Sequence, residues 1–87
     1  MNRIQKIEEL ISKFLKIKSE KDMFMEDLSY GEEENAYSNL CAIIKRDKIP
    51  LSSEDKQAID EIGESMWRDG EYNKHNMGPK YWKDLIE

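Results

Sequence analysis

Apolar residues in this chain recur three and four positions apart, in runs that proline and glycine interrupt at only a few places. That spacing gathers a stripe of side chains on one side of a helix and on no other regular structure. Ile4, Ile7, Ile11, Phe14 and Leu15 keep it, with Leu10 beside them. Lys6, Lys13 and Lys16 fall largely on the other side. Residues 2–18 therefore read as one amphipathic helix, about 25 Å long at the helical rise. No segment alternates apolar and polar residues strongly enough to suggest a strand.

Local punctuation divides the rest. Ser19, with Asp22 three residues on, has the arrangement that starts a helix. Met23, Phe24, Leu28 and Tyr30 give this second element a short apolar stripe. Gly31 is placed to end it, because glycine enters the left-handed conformation without a steric penalty. Residues 32–46 form a third helix, buried along Ala36, Tyr37, Leu40, Cys41 and Ile44, with Ile43 at the edge. Glu32, Glu33 and Glu34 stand in its first turn and Lys45 and Arg46 in its last, matching the helix dipole at both ends. It stops before Ile49-Pro50, since a residue preceding proline avoids helical geometry. Ser52 or Ser53 caps a fourth helix, with Glu54 and Asp55 following. Ile59, Ile62, Met66 and Trp67 are its expected buried face. Gly63 lies within that face, and a close approach by another helix backbone would account for it. Residues 69–76 read as a polar loop. The segment from Met77 restarts a helix, with Pro79 at its first position and Tyr81, Trp82, Leu85 and Ile86 as an apolar stripe. The expected fold class is all-α, a compact antiparallel bundle of four to five short helices, with residues 1–87 as a single domain.

Size and charge narrow the function. The chain has 87 residues, and a chain this short buries only about 60–65% of its unfolded surface. Charged residues make up 38% of it, yet the aromatics and the aliphatic spacing set it apart from disordered chains. Its single cysteine, Cys41, excludes an internal disulfide and fits a reducing compartment. No apolar run approaches a membrane span and the N-terminus does not resemble a signal peptide, so a cytoplasmic location and no membrane partner are expected. The net charge is −5 and unevenly spread. Residues 1–21 carry six Lys or Arg against three Glu; residues 22–87 carry eight against sixteen Asp or Glu. Such a surface repels a nucleic-acid backbone and attracts a basic protein.

Signals for catalysis are sparse. His75, the single histidine, stands in the polar loop, and Cys41 falls on an apolar helix face. There is no G-x-S-x-G setting and no glycine-rich phosphate loop. The acids of EDLSYGEEEN do not follow the calcium-loop spacing. No enzyme, metal or cofactor is expected. What is left is a protein partner. Glu26, Asp27, Glu32, Glu33 and Glu34 flank a helix–turn–helix junction with Tyr30 at its centre, and Tyr37 stands one turn further on. Capping explains one or two of these acids; it does not require five with an embedded aromatic. These seven residues are the candidate partner-binding set.

The order of residues also resembles a known family. The run carries an acidic Gly31-Glu32 turn, then Ala36 and the pair Leu40-Cys41. The link Ile49-Pro50-Leu51-Ser52 follows, then the pair Ile62-Gly63. Together these resemble the small immunity proteins of polymorphic toxin systems, the Maf-type and contact-dependent growth inhibition immunity proteins of bacteria. The tail Met77-Gly78-Pro79-Lys80-Tyr81-Trp82 is similar to that family's closing proline-and-tryptophan helix. The resemblance covers roughly residues 27–87; the polar loop at 69–76 departs from it in length. It implies binding and neutralisation of a cognate toxin domain, often an RNase such as an EndoU-type nuclease, by covering the RNA-binding or active-site surface. Such domains are basic, so the acidic turn complements them. Two other classes fit the composition: a phage-encoded acidic inhibitor of the anti-CRISPR kind, and a small regulatory module touching nucleic acid through Lys13, Lys16, Lys18 and Lys21.

Overall fold

A computed structural model describes residues 2–69 and 80–86 of the chain. The described residues form five α-helices: α1 Arg3–Phe14, α2 Lys18–Ser29, α3 Glu33–Arg46, α4 Ser53–Arg68 and α5 Lys80–Ile86. The fold is an all-α bundle. Of the expected loop at 69–76 all but Asp69 lies outside the described residues, as do His75, Pro79 and the Tyr81 side chain.

Each helix boundary has a chemical cause. Asn2 caps α1: its side chain accepts from the Gln5 amide at 2.8 Å, and the Gln5 side chain accepts from the Asn2 amide at 3.1 Å. Ser52 and Asp55 make the same reciprocal box at the start of α4, at 3.1 and 3.2 Å. Each box satisfies two of the amides that a helix start leaves without partners. Gly31 ends α2 at φ +79°. The Gly31 amide donates to Leu28 and the Glu32 amide to Asp27, the paired bonds of a Schellman motif. The end of α3 repeats this pattern with a lysine in the glycine's place. Lys48 sits at φ +50°, its amide donates to Lys45, and the Ile49 amide donates to Ile44.

The first helix is shorter than its apolar spacing suggests. It stops at Phe14, and the backbone is extended at Leu15 and Ile17. The break lets Phe14 and Leu15 both enter the core while the chain reverses. Ile17, not Ser19, is the N-cap of α2, and it makes no side-chain cap bond.

Ion pairs mark the helix directions. Arg3 at the start of α1 reaches Glu33 at the start of α3 and Asp69 just past α4. Lys13 near the end of α1 reaches Asp55 at the start of α4. Arg46 at the end of α3 reaches Glu20 at the start of α2. Helices α1 and α4 are thus antiparallel, as are α2 and α3. One pole of the bundle gathers the α2–α3 turn; the other gathers the α1–α2 and α3–α4 links.

The core takes Ile7, Ile11, Phe24, Leu28, Leu40, Ile44, Ile59, Ile62 and Met66 from α1 to α4. Helix α5 closes it from the side of α3 and α4. Trp82 is fully buried, its ring lying where a Cβ on Gly63 would stand, and its Nε1 donates to Asp60 at 2.9 Å. The close approach expected at Gly63 is therefore real, but an indole ring makes it rather than a helix backbone. Lys83 flanks the ring and pairs with Asp60 and Glu64 at 2.8 and 2.9 Å. Trp82 takes the core position and leaves Trp67, expected on the buried face of α4, partly exposed. Met23 likewise faces outward from α2.

The candidate partner-binding turn

The seven candidate residues separate into two groups. Tyr37 belongs to the core. It is 1% exposed and its hydroxyl donates to the Ile59 carbonyl at 2.5 Å, tying α3 to α4. Burial removes it from any partner contact, which corrects its place in the set. Beside it, burial pushes the Cys41 thiol up to about 12, against the opposing effect of a hydrogen bond with Tyr37. A thiol so held stays protonated and unreactive at neutral pH.

Two acids are also structural. The Arg3 guanidinium grips Glu33 through two parallel bonds, Nε to Oε1 and Nη2 to Oε2, both 3.0 Å. Arg3 also donates to Ser65 Oγ and Asp69 Oδ2. These bonds, that with Glu33 foremost, raise the Arg3 pKa further above its usual range. A bidentate, partly buried guanidinium clamp of this sort is far stronger than an exposed pair. Glu34 is buried. Sequence spacing placed all three acids in one turn and could not say which the fold consumes. The far partner Arg3 is thirty residues from Glu33.

The second group forms the surface. Tyr30 is the C-cap of α2 and the residue is 76% exposed. Gly31 turns the backbone immediately after it, so the ring stands at the tip of the pole. Glu26 precedes it by one helical turn, and its carbonyl accepts from Ser29 at 2.7 Å, which braces that turn. Glu32 follows, exposed, with Asn35 as a distant neighbour at 3.5 Å. Asp27 is half-buried on the inner side. Glu26, Asp27 and Glu32 have no lysine or arginine partner among the described residues. Three carboxylates without a basic partner among the described residues thus lie within four positions of one exposed aromatic in the chain.

A second feature lies at the opposite pole, where no site was expected. Phe14, Leu15, Ile17, Ile43, Ile49 and Pro50 line an open groove of about 400 Å³. Ile17 is 53% exposed on its edge. Arg46 crosses the rim, holding Asp47 at 2.8 Å and Glu20 at 3.2 Å. Its bonds hold the Asp47 carboxyl below the usual carboxylate range. Sequence periodicity missed this groove because it read residues 15–17 as helix.

Among the described residues, no group of three or more His, Cys, Asp or Glu side chains comes together as metal ligands would. No described helix is long and apolar enough to cross a membrane. Comparison with protein-family models, curated proteins and solved structures gave no match.

Proposed function

We propose that the chain is a protein-binding inhibitor whose acidic turn docks on a basic partner, and that the partner is the nuclease domain of a toxin against which it gives immunity. The observation that carries the binding mode is Tyr30, exposed at a braced turn beside Glu26, Asp27 and Glu32, carboxylates with no basic partner among the described residues. Exposed aromatics supply much of the binding energy at protein interfaces, and fixed opposite charges speed encounter. A surface that binds RNA phosphates presents arginine and lysine, and carboxylates grouped on one turn can occupy the phosphate positions. The family resemblance supports the choice of a toxin as the partner.

The test is co-expression with the protein encoded immediately upstream, followed by co-purification and an RNA-cleavage assay. Binding and suppression of cleavage are expected. Tyr30→Ala should weaken the complex by about thirtyfold or more, mainly through faster dissociation. Glu26→Lys with Glu32→Lys should slow association by about tenfold or more at low salt. An upstream protein that is neither toxic nor bound would remove the immunity reading. Full protection by the charge-reversed variant would remove the acidic turn from it. Glu33 and Glu34 are left intact, since changing them would disturb the fold.

A further inference from the structure

The two poles of the molecule are complementary to each other. At one, an exposed aromatic stands beside carboxylates that have no basic partner among the described residues. At the other, an open apolar groove lies among lysines. Lys16 lines that groove, and its one hydrogen bond is a long one, 3.5 Å to the Lys13 carbonyl. Lys48 stands between the lining residues Asp47 and Ile49 in the chain, exposed, in the left-handed conformation. Neither lysine has a carboxylate partner among the described residues. The acids on the rim, Glu20 and Asp47, share Arg46, which offsets one of the two charges; Lys16 and Lys48 outweigh the other, so the net charge offered to an occupant is weakly positive.

We infer that the groove receives the Tyr30 turn of a second copy of this chain, giving head-to-tail self-association. The turn is convex and the groove concave. The ring matches the apolar walls, while Glu26 and Glu32 match Lys16 and Lys48. The two surfaces lie at opposite ends of the bundle, so one molecule can give its turn and receive another at the same time. Such a heterologous contact does not close on itself as a two-fold dimer does. A contact of this size belongs to the weak class, below about 1,200 Å². The same turn serves the partner in the function proposed above, so a bound partner would displace the second copy.

Sedimentation equilibrium over about 10 µM to about 1 mM protein tests it. The mean mass should climb with concentration past that of a dimer, and raising salt from about 50 mM to about 500 mM should reverse the climb. Ile17→Asp removes the groove edge at an N-cap position, where aspartate is favoured, and Tyr30→Ala removes the inserted ring at an exposed site. Each variant alone should stay monomeric with unchanged helical circular dichroism. Mixed together they should form a one-to-one complex, because one retains the turn and the other the groove. A monomer throughout the concentration range overturns the inference, as does a mixture no more associated than its components. Ile17→Asp leaves the acidic turn intact and should still bind and block the toxin domain. Loss of self-association with binding retained therefore separates this contact from the proposed function.

Discussion

Lys48 holds a backbone conformation that costs a side-chain-bearing residue about 1–2 kcal/mol. The last turn of α3 requires it, because the Lys48 and Ile49 amides satisfy carbonyls that the helix end would otherwise leave bare. Gly31 does the same task at the end of α2 without the penalty. Lys48→Gly should therefore stabilise the protein by about 0.5–1 kcal/mol, part of the relief being offset by the looser unfolded chain. A rise in the urea midpoint at unchanged slope would show it. A fall would mean that Lys48 makes a contact more valuable than the strain it bears. At this scale much was readable from sequence. Gly31, Ser52 and the capping bond of Asp55 act through near neighbours in the chain, so these roles follow from spacing; the Asp55 pair with Lys13 does not. Glu33 and Glu34 act through the fold, and nothing local distinguishes them from Glu32.

Among the elements, α5 depends most on a single contact. Seven residues cannot hold a helix in water by themselves. The indole of Trp82 against Gly63, with Lys83 clamped by Asp60 and Glu64, supplies what the short helix lacks. A methyl group at position 63 would stand 2.3 Å from the ring. Gly63→Ala gains about 1 kcal/mol of helix propensity but must displace the indole, and overpacking of this kind costs about 1–3 kcal/mol. Loss of the buried indole contact adds to that cost, so net destabilisation is expected. In a Trp67→Phe background, the remaining tryptophan emission should shift to the red as Trp82 meets water. An unshifted spectrum would mean that α5 slides without detaching. Periodicity found α3 and α4 because their stripes are long. It extended α1 too far, since no residue between Leu15 and Ile17 is a helix breaker; burial of Phe14 and Leu15 makes the break. It also set both Trp67 and Trp82 on apolar stripes, because spacing cannot rank two tryptophans on different helices; only Trp82 is buried.

Across the whole molecule, carboxylates add ties between helices that the apolar core already packs together. Asp55 and Asp60 lie below the usual carboxylate range, Asp55 chiefly through Lys13 and Asp60 through Lys83 and then Trp82. A carboxyl lowered in the folded state adds stability above its unfolded value, near 4, and loses it as the pH falls through the folded value. Stability should thus change little from about pH 7 to about pH 5 and fall below about pH 4. Asp55→Asn with Asp60→Asn should be less stable than the parent at neutral pH, with a shallower decline into acid. Urea midpoints measured across that range decide it, and parallel curves would assign the acid sensitivity to other groups.

The division of labour within the acidic turn has an evolutionary consequence. Glu33 and Glu34 are committed to folding, so their replacement endangers the whole protein. Glu26, Tyr30 and Glu32 stand in solvent and cost the fold little when changed. A lineage carrying this bundle could therefore remodel the charge and shape of this pole by substituting a handful of exposed positions, on a scaffold that tolerates each intermediate step.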